Sequence, residues 1–263
     1  MLHITLSSDF GLHDHAAAII KGKLYTAFPE CTVTDITHNN TPGQITETVY
    51  HVQSVYPYFP SNTFHLIYND LYANASRRLI YTTADEQHIF GADNGIMLQL
   101  FKDKATPFYF LDEIPHPYNY IHVTDAFIRQ IDCIRRGVDR GLSPANVKDM
   151  HIVQLPSPAI GPDFIEARVL RVDAFGNVIL DCTRAQFDYA RAGRMFKHIL
   201  LPTAEITEIS THYDDVLEGK ALCRFNSAGY LEIAINHGKA NSLLGLSAIS
   251  EKDLFYQKVK IHF

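Results

Sequence analysis

The chain is predicted to fold as an α/β domain with a central sheet, followed by a smaller β domain. Three observations carry this expectation. Across residues 1–155, β-rich runs alternate with helical periods, the pattern of an α/β sheet. Pro156, Pro158, Gly161 and Pro162 then crowd into a linker over about 156–163. From residue 164 to 263 short strands follow one another between turns, with few helices.

Residues 2–8 alternate in a β-rich run that Asp9-Phe10-Gly11 breaks, and residues 16–28 read as a helix. Residues 32–36 read as a strand ending in the polar turn 37–43, and 45–56 carry a helical apolar period that Pro57 and Pro60 close. A strong strand over 63–68 runs into Asp70. Residues 78–83 and 87–90 predict a hairpin, with the turn signal Asp93-Asn94-Gly95 after it. An amphipathic helix is expected over 125–136, stopped by Gly137. In the second part, strands are expected over 164–172, 177–181, 197–201, 220–225, 230–236 and 255–262.

A net charge of -6 gives no electrostatic basis for binding nucleic acid, so none is expected as a partner. The one dense basic cluster, Arg135-Arg136 near Arg140, reads as a solvated helix face. No stretch approaches the ~18 apolar residues of a membrane span. The start carries acid and His within fifteen residues, unlike a targeting peptide. Four Cys, far apart and without a C-x-x-C pair, fit reduced thiols. A cytoplasmic location is therefore expected.

Polar residues collect at strand ends, where open α/β sheets place their sites. Asp9 follows the first strand, Asp70 the third, and Asp93-Asn94 the hairpin. In the second part, Asp173-Ala-Phe-Gly-Asn177 interrupts two strands, and Asn226-Ser227-Ala-Gly229 precedes another. Singly, each is an ordinary turn former. Arg77 and Arg78 lie seven and eight residues past Asp70. A guanidinium brought back to that carboxylate holds a water or an anion; at the surface the same pair is an ion pair of little energy. His122 ends the apolar stretch 118–121 just before the expected helix and reads as a structural or capping residue. The His13-Asp14-His15 cluster lacks metal-ligand spacing, and no metal is expected. D-F-G at 9–11 has no kinase Gly-rich loop or H-R-D beside it. By themselves, these residues support an enzyme or a binding protein with a polar cleft near Asp9, Asp70 and the second domain.

Seven segments occur in one order along nearly the whole chain: S-S-D-F-G-L-H-D (7–14), K-G (21–22), V-T-D-I-T-H (33–38), D-x6-R-R (70–78), A-D-N-G (92–95), V-D-A-F-G-N (172–177) and N-S-A-G-Y-L-E-I-A (226–234). Together they resemble the S-adenosyl-L-methionine hydroxide adenosyltransferases, relatives of the adenosyl chlorinases and fluorinases. The resemblance implies an N-terminal α/β domain, a β-barrel-like C-terminal domain, and a homotrimer with sites between neighbouring subunits. The implied reaction is hydrolysis of S-adenosyl-L-methionine to adenosine and methionine, with that molecule as substrate and no cofactor. The family's water-activating trio falls on Asp70, Arg77 and His122. Asp9 matches the carboxylate that holds the ribose hydroxyls. Asp173, Phe175 and Asn177 match the segment that meets the adenosyl and methionine parts, and Ser227 and Glu232 lie in the other C-terminal binding segment.

Two segments depart from the family pattern. Asp70-Leu-Tyr-Ala-Asn-Ala-Ser76 replaces D-P-G-V-G-T, and His122-Val-Thr-Asp125-Ala-Phe127-Ile-Arg129 replaces H-G-R-D-x-F-A-P. Halogenating relatives carry Tyr for the family Asp and lose its Arg, so Asp70 and Arg77 favour water over halide. The rival readings are an adenosyl halogenase and an adenosine- or S-adenosylmethionine-binding protein without turnover.

Overall fold

The structure, a computed structural model, describes residues 1–102, 104–138, 141–201, 203–246 and 257–263. It divides into two compact units, Met1–Leu155 and Pro156–Phe263.

The first unit is built on β1 (Leu2–Ser7), α1 (Ala16–Ala27), β2 (Cys31–Thr37), α2 (Ile45–Val55), β3 (Phe64–Ile67), β4 (Leu79–Ala84), β5 (Gln87–Ala92), α3 (Ile96–Phe101), β6 (Phe108–Leu111), α4 (Tyr120–Arg136) and β7 (Leu142–Ala145). Its seven strands run in the order β2-β1-β3-β5-β4-β6-β7. The first four are parallel and the rest antiparallel. Leu2, Ile4 and Leu6 of β1 pack with Ile20 and Leu24 of α1 and Val123, Phe127 and Ile131 of α4. On the opposite face, Val49 and Val52 of α2 meet Ile96, Met97 and Leu100 of α3 over Ile67, Ile80 and Ile89. Period-2 alternation along the strands thus feeds two apolar layers, one for each pair of helices.

Thr5 and Ser7 of β1 and His65 of β3 are fully buried. A sheet covered on both faces leaves no solvent side for them, so they bond across the strands. Thr5 Oγ1 meets His65 Nδ1 at 2.7 Å, and Gln87 Oε1 meets His65 Nε2.

The expected helix over 125–136 begins earlier, at Tyr120. Asn119 is its N-cap, with Oδ1 accepting from the backbone N–H groups of Ile121 and His122, so His122 sits inside the first turn and not before it. Helix α3 and strands β6 and β7 were not expected. Arg135 pairs with Glu30 and Arg136 with Asp132, on an exposed helix face; Arg140 lies outside the described residues.

The second unit contains β8 (Ala159–Ile160), β9 (Phe164–Val172), β10 (Val178–Thr183), α5 (Arg184–Arg191), β11 (His198–Leu201), β12 (Ala204–Ile206), β13 (Ala221–Phe225), β14 (Tyr230–Ile235), α6 (Ala240–Leu243) and β15 (Lys258–His262). The sheet runs β12-β11-β15-β9-β10-β14-β13, with β8 paired to β9. A bridge from Ile209 to Cys223 brings the chain after β12 beside β13 and nearly closes the sheet as a barrel. Ile165, Ala167, Val169, Leu180, Ile233 and Ile261 fill its interior. Residues 255 and 256 of the last expected strand lie outside the described residues. The four cysteines are free thiols. Among the described residues, no helix is long and apolar enough to cross a membrane.

Candidate active site

Four strand ends deliver polar side chains to one edge of the first sheet. They are the C-terminal ends of the parallel strands β2, β1, β3 and β5, where an open α/β sheet has its crevice. Asp9, two residues after β1, accepts the backbone N–H of Asp70 on Oδ2 at 2.9 Å. Asp70, after β3, accepts the N–H of Gly43 on Oδ1 at 2.8 Å. Burial pushes both carboxyls above their ordinary range, more than these hydrogen bonds lower them, and Asp70 adds like-charge repulsion on Asp9.

The loop from Asp70 to Arg77 is strained at both ends, with φ of 49° and 50° at those residues. The left-handed region costs a non-glycine residue roughly 1–2 kcal/mol, and such strain persists where surrounding structure imposes it. Asn94 supplies part of that hold, donating from Nδ2 to the carbonyls of Asn69 and Asp70 at 2.8 and 3.1 Å.

The two adjacent arginines divide their work. Arg78 is committed to the fold: it pairs with the buried Asp93 at 2.6 Å and lies 4.1 Å from the Phe110 ring centroid. Arg77 is exposed, and its guanidinium lies 5.8 Å from the centroid of Tyr118. Among the described residues neither arginine pairs with Asp70. His122 is fixed from α4, its Nδ1 2.9 Å from Asn119 Oδ1. That oxygen already accepts two backbone N–H groups, so Nδ1 carries the hydrogen and Nε2 of the neutral ring is an acceptor.

Beneath Asp9 and Asp70 lies a buried polar network that sequence reasoning missed. Ser7 Oγ donates to Asn69 Oδ1 at 3.0 Å, Asn40 Nδ2 donates to Ser7 Oγ at 3.1 Å, and His51 Nδ1 meets Asn40 Oδ1 at 2.6 Å. Ser8 Oγ meets His38 Nδ1 at 2.7 Å. A polar residue directly before each strand-end Asp, Ser8 and Asn69, was the available signal.

In the second unit the β9–β10 turn is closed by Asp173. Its Oδ1 accepts from the N–H groups of Phe175 and Asn177, both at 2.9 Å, and Oδ2 accepts from Asn177 Nδ2 at 3.0 Å. Gly176 has φ of 83°, and a Cβ there would lie 2.8 Å from Asn241 and 2.9 Å from Lys239, so only glycine fits. The turn holds Phe175 77% exposed. Phe175 and Asn177 line an open cleft of about 460 Å³ with Tyr213, Ile235, His237 and Lys239. Glu232, 3% exposed, accepts from the Tyr213 hydroxyl at 2.7 Å, and burial raises its carboxyl above the ordinary range. Glu232 therefore meets the cleft through Tyr213. Ser227 is exposed at the β13–β14 turn, apart from the residues that line the cleft. Among the described residues, no three His, Cys, Asp or Glu side chains gather as a metal site.

A sheet edge bearing two desolvated carboxylates, and an aromatic cleft in the barrel-like second unit, are features of an enzyme or of a protein that binds a small molecule. Residues 4–140 match the model of the SAM hydroxide adenosyltransferase N-terminal domain, and 167–251 match that of the C-terminal domain. The chain belongs to this family. Curated relatives named (R)-S-adenosyl-L-methionine hydrolase include those of Salinispora arenicola, 29% identical over 93% of this chain and 94% of that one, and of Thermus thermophilus, 27% identical over 91% and 94%. The fold is shared with an uncharacterised conserved protein from Thermotoga maritima, at 21% identity and a TM-score of 0.82 over the full length of both chains. A conserved hypothetical protein from Thermus thermophilus aligns at 23% identity and a TM-score of 0.71, again over the whole of each chain.

Proposed function

We propose that the protein hydrolyses S-adenosyl-L-methionine to adenosine and L-methionine. The observation that carries this reading is the hydrogen bond from the Asp70 N–H to Asp9, 2.9 Å long. It ties two desolvated strand-end carboxylates into one cluster, with Arg77 at the far end of Asp70's own loop. In the proposed reaction a water oxygen bonds to ribose C5′ as the C5′–S bond breaks, its electron pair passing to sulfur. The leaving group is a neutral thioether and needs no acid, so the difficulty lies in the weak nucleophile. Asp70 accepts the water proton, Arg77 stabilises developing hydroxide charge, and His122 accepts a hydrogen bond from the water on Nε2. Asp9 holds the ribose hydroxyls, aligning C5′ with the water; such alignment supplies roughly 7–11 kcal/mol in favourable cases. Phe175 stacks on the adenine, Asn177 and Asp173 shape that turn around the adenosyl and methionine parts, and Ser227 and Glu232 complete the binding segment. The substrate itself carries the reactive sulfonium, so no cofactor is required. The proposal extends to a homotrimer working in the cytoplasm.

Turnover in heavy-oxygen water tests the reading: the label is expected in the 5′-hydroxyl of adenosine and not in methionine. Unlabelled adenosine, or 5′-chloroadenosine as the main product when chloride is added, would show that the nucleophile is wrong. Tight binding of S-adenosylmethionine without product would leave a binding protein.

A further inference from the structure

We propose that Tyr118 is a further catalytic residue, its hydroxyl donating a hydrogen bond to the oxygen nucleophile that Arg77 polarises. The inference rests on the reading given above for Arg77. Tyr118 is 8% exposed, and its hydroxyl oxygen is buried with no hydrogen-bond partner among the described residues. Leaving a buried hydroxyl unsatisfied is costly, so native structures pair such groups with protein, water or ligand. The group that completes Tyr118 is therefore something the described residues do not supply.

The surroundings define its chemistry. The Arg77 guanidinium lies 5.8 Å from the Tyr118 ring centroid, and Tyr72 of the same loop meets that ring edge-on at 5.9 Å. Arg77 and Tyr72 also act on the Tyr118 hydroxyl electrostatically, while burial pushes that hydroxyl up to about 12, so it remains a neutral donor. A neutral O–H donor on a ring that faces a cation, itself without a carboxylate partner among the described residues, selects a lone-pair ligand that gathers negative charge. A water being deprotonated is such a ligand. Asn119, the next residue, fixes His122 through its Nδ1, so the turn that carries Tyr118 also carries the third member of the trio. The remainder of the Tyr118 side chain belongs to the core cluster with Leu71 and Phe127, which holds the ring in place.

Tyr118→Phe keeps the ring and removes only the hydroxyl. In the full-length protein it is expected to leave the melting temperature unchanged or higher, because an unpaired buried group is lost. It is also expected to lower kcat roughly tenfold to hundredfold, the range of a hydrogen bond to a charged group, with KM within about twofold. The acid limb of the pH profile should stay where it is, because Tyr118 does not titrate there. Wild-type kcat in Tyr118→Phe would overturn the proposal. A fall in kcat matched by a fall in melting temperature would also overturn it, making the hydroxyl structural, as would a raised KM with kcat kept, which would place it on the substrate. Failure of the wild type to release adenosine would bring down the functional reading and this inference together. Wild-type turnover with an unaffected variant would bring down this inference alone.

Discussion

Asp70 is held at a cost to the folded state. Burial raises its carboxyl above the ordinary range, so ionising it near neutral pH is harder in the folded chain than in the unfolded one. Stability tied to this group is greatest when it is protonated and is lost as the pH rises through its folded pKa. Asp70→Asn removes that cost, keeps an acceptor for the Gly43 N–H, and suits the left-handed backbone at this position. The variant is expected to melt at an equal or higher temperature while losing at least a hundredfold in turnover, roughly the share of general-base catalysis; a destabilised or fully active variant would contradict this. The same raised carboxyls at Asp9 and Asp70 place the acid limb of kcat/KM above the ~4 of ordinary carboxylates, which a pH–rate profile measures. His65 works in the opposite sense. Gln87 Nε2 donates to the carbonyls of Tyr56 and Phe59, so its Oε1 faces His65 and accepts from Nε2–H, while Nδ1 accepts from Thr5. Burial lowers the His65 pKa to about 4. The unfolded chain takes up a proton that the folded one refuses, so this contribution is full above about pH 6.5 and is lost as the pH falls toward 4. It amounts to about 3 kcal/mol. Nitrogen-15 NMR should find one imidazole still in its neutral Nε2–H form at pH 5.5; protonation of every ring by then would refute this.

At the scale of elements, helix α4 carries both a structural and a functional load at its first turn. Asn119 satisfies the N–H groups of Ile121 and His122 and orients the His122 ring with the same oxygen. Asn119→Ala is expected to cost about 1 kcal/mol of stability and also to lower kcat, because His122 loses its restraint. Asn119→Asp, which keeps the cap, should restore stability and turnover together. Denaturant titration and turnover on the two variants separate these effects; an Asn119→Ala variant with unchanged kcat would detach the cap from the site. This cap was overlooked in the sequence because Tyr118, Tyr120 and Ile121 surround it with strand-forming residues. Helix α5 hid in a similar way. Its signal is the capping box Thr183-x-x-Gln186, set directly against the end of β10. Strand β7 contains Pro144 and is short, as an edge strand should be, and no periodicity of four residues could announce it.

For the whole molecule, the proposed homotrimer gives a direct test, since light scattering at assay concentration should return about three times the chain mass of 29.8 kDa. A fully active monomer would remove the assembly from the proposal. The fold class was legible because alternation and helical period are local properties of the chain. They place β1, α1, β2, α2, β3 and the β4–β5 hairpin near their observed bounds. The resemblance to the family was legible for a related reason: strand-end turns such as Asp9-Phe10-Gly11 and Asp173 to Asn177 are short and contiguous in sequence.

The sequence by itself determined the α/β class with its barrel-like second part, the family, and the residues that form the strand-end turns, all of which depend on neighbours within a few positions. Tertiary structure alone decided what those residues touch. Thr5, Ser7 and His65 are polar residues within strand runs, and coverage of both sheet faces buries them and pairs them with residues about sixty positions away. It is also packing that separates Arg77 from Arg78. Phe110 and Asp93 fold back to claim Arg78, while Arg77 is left against Tyr118. Such assignments depend on contacts between distant segments, whose geometry no local pattern encodes.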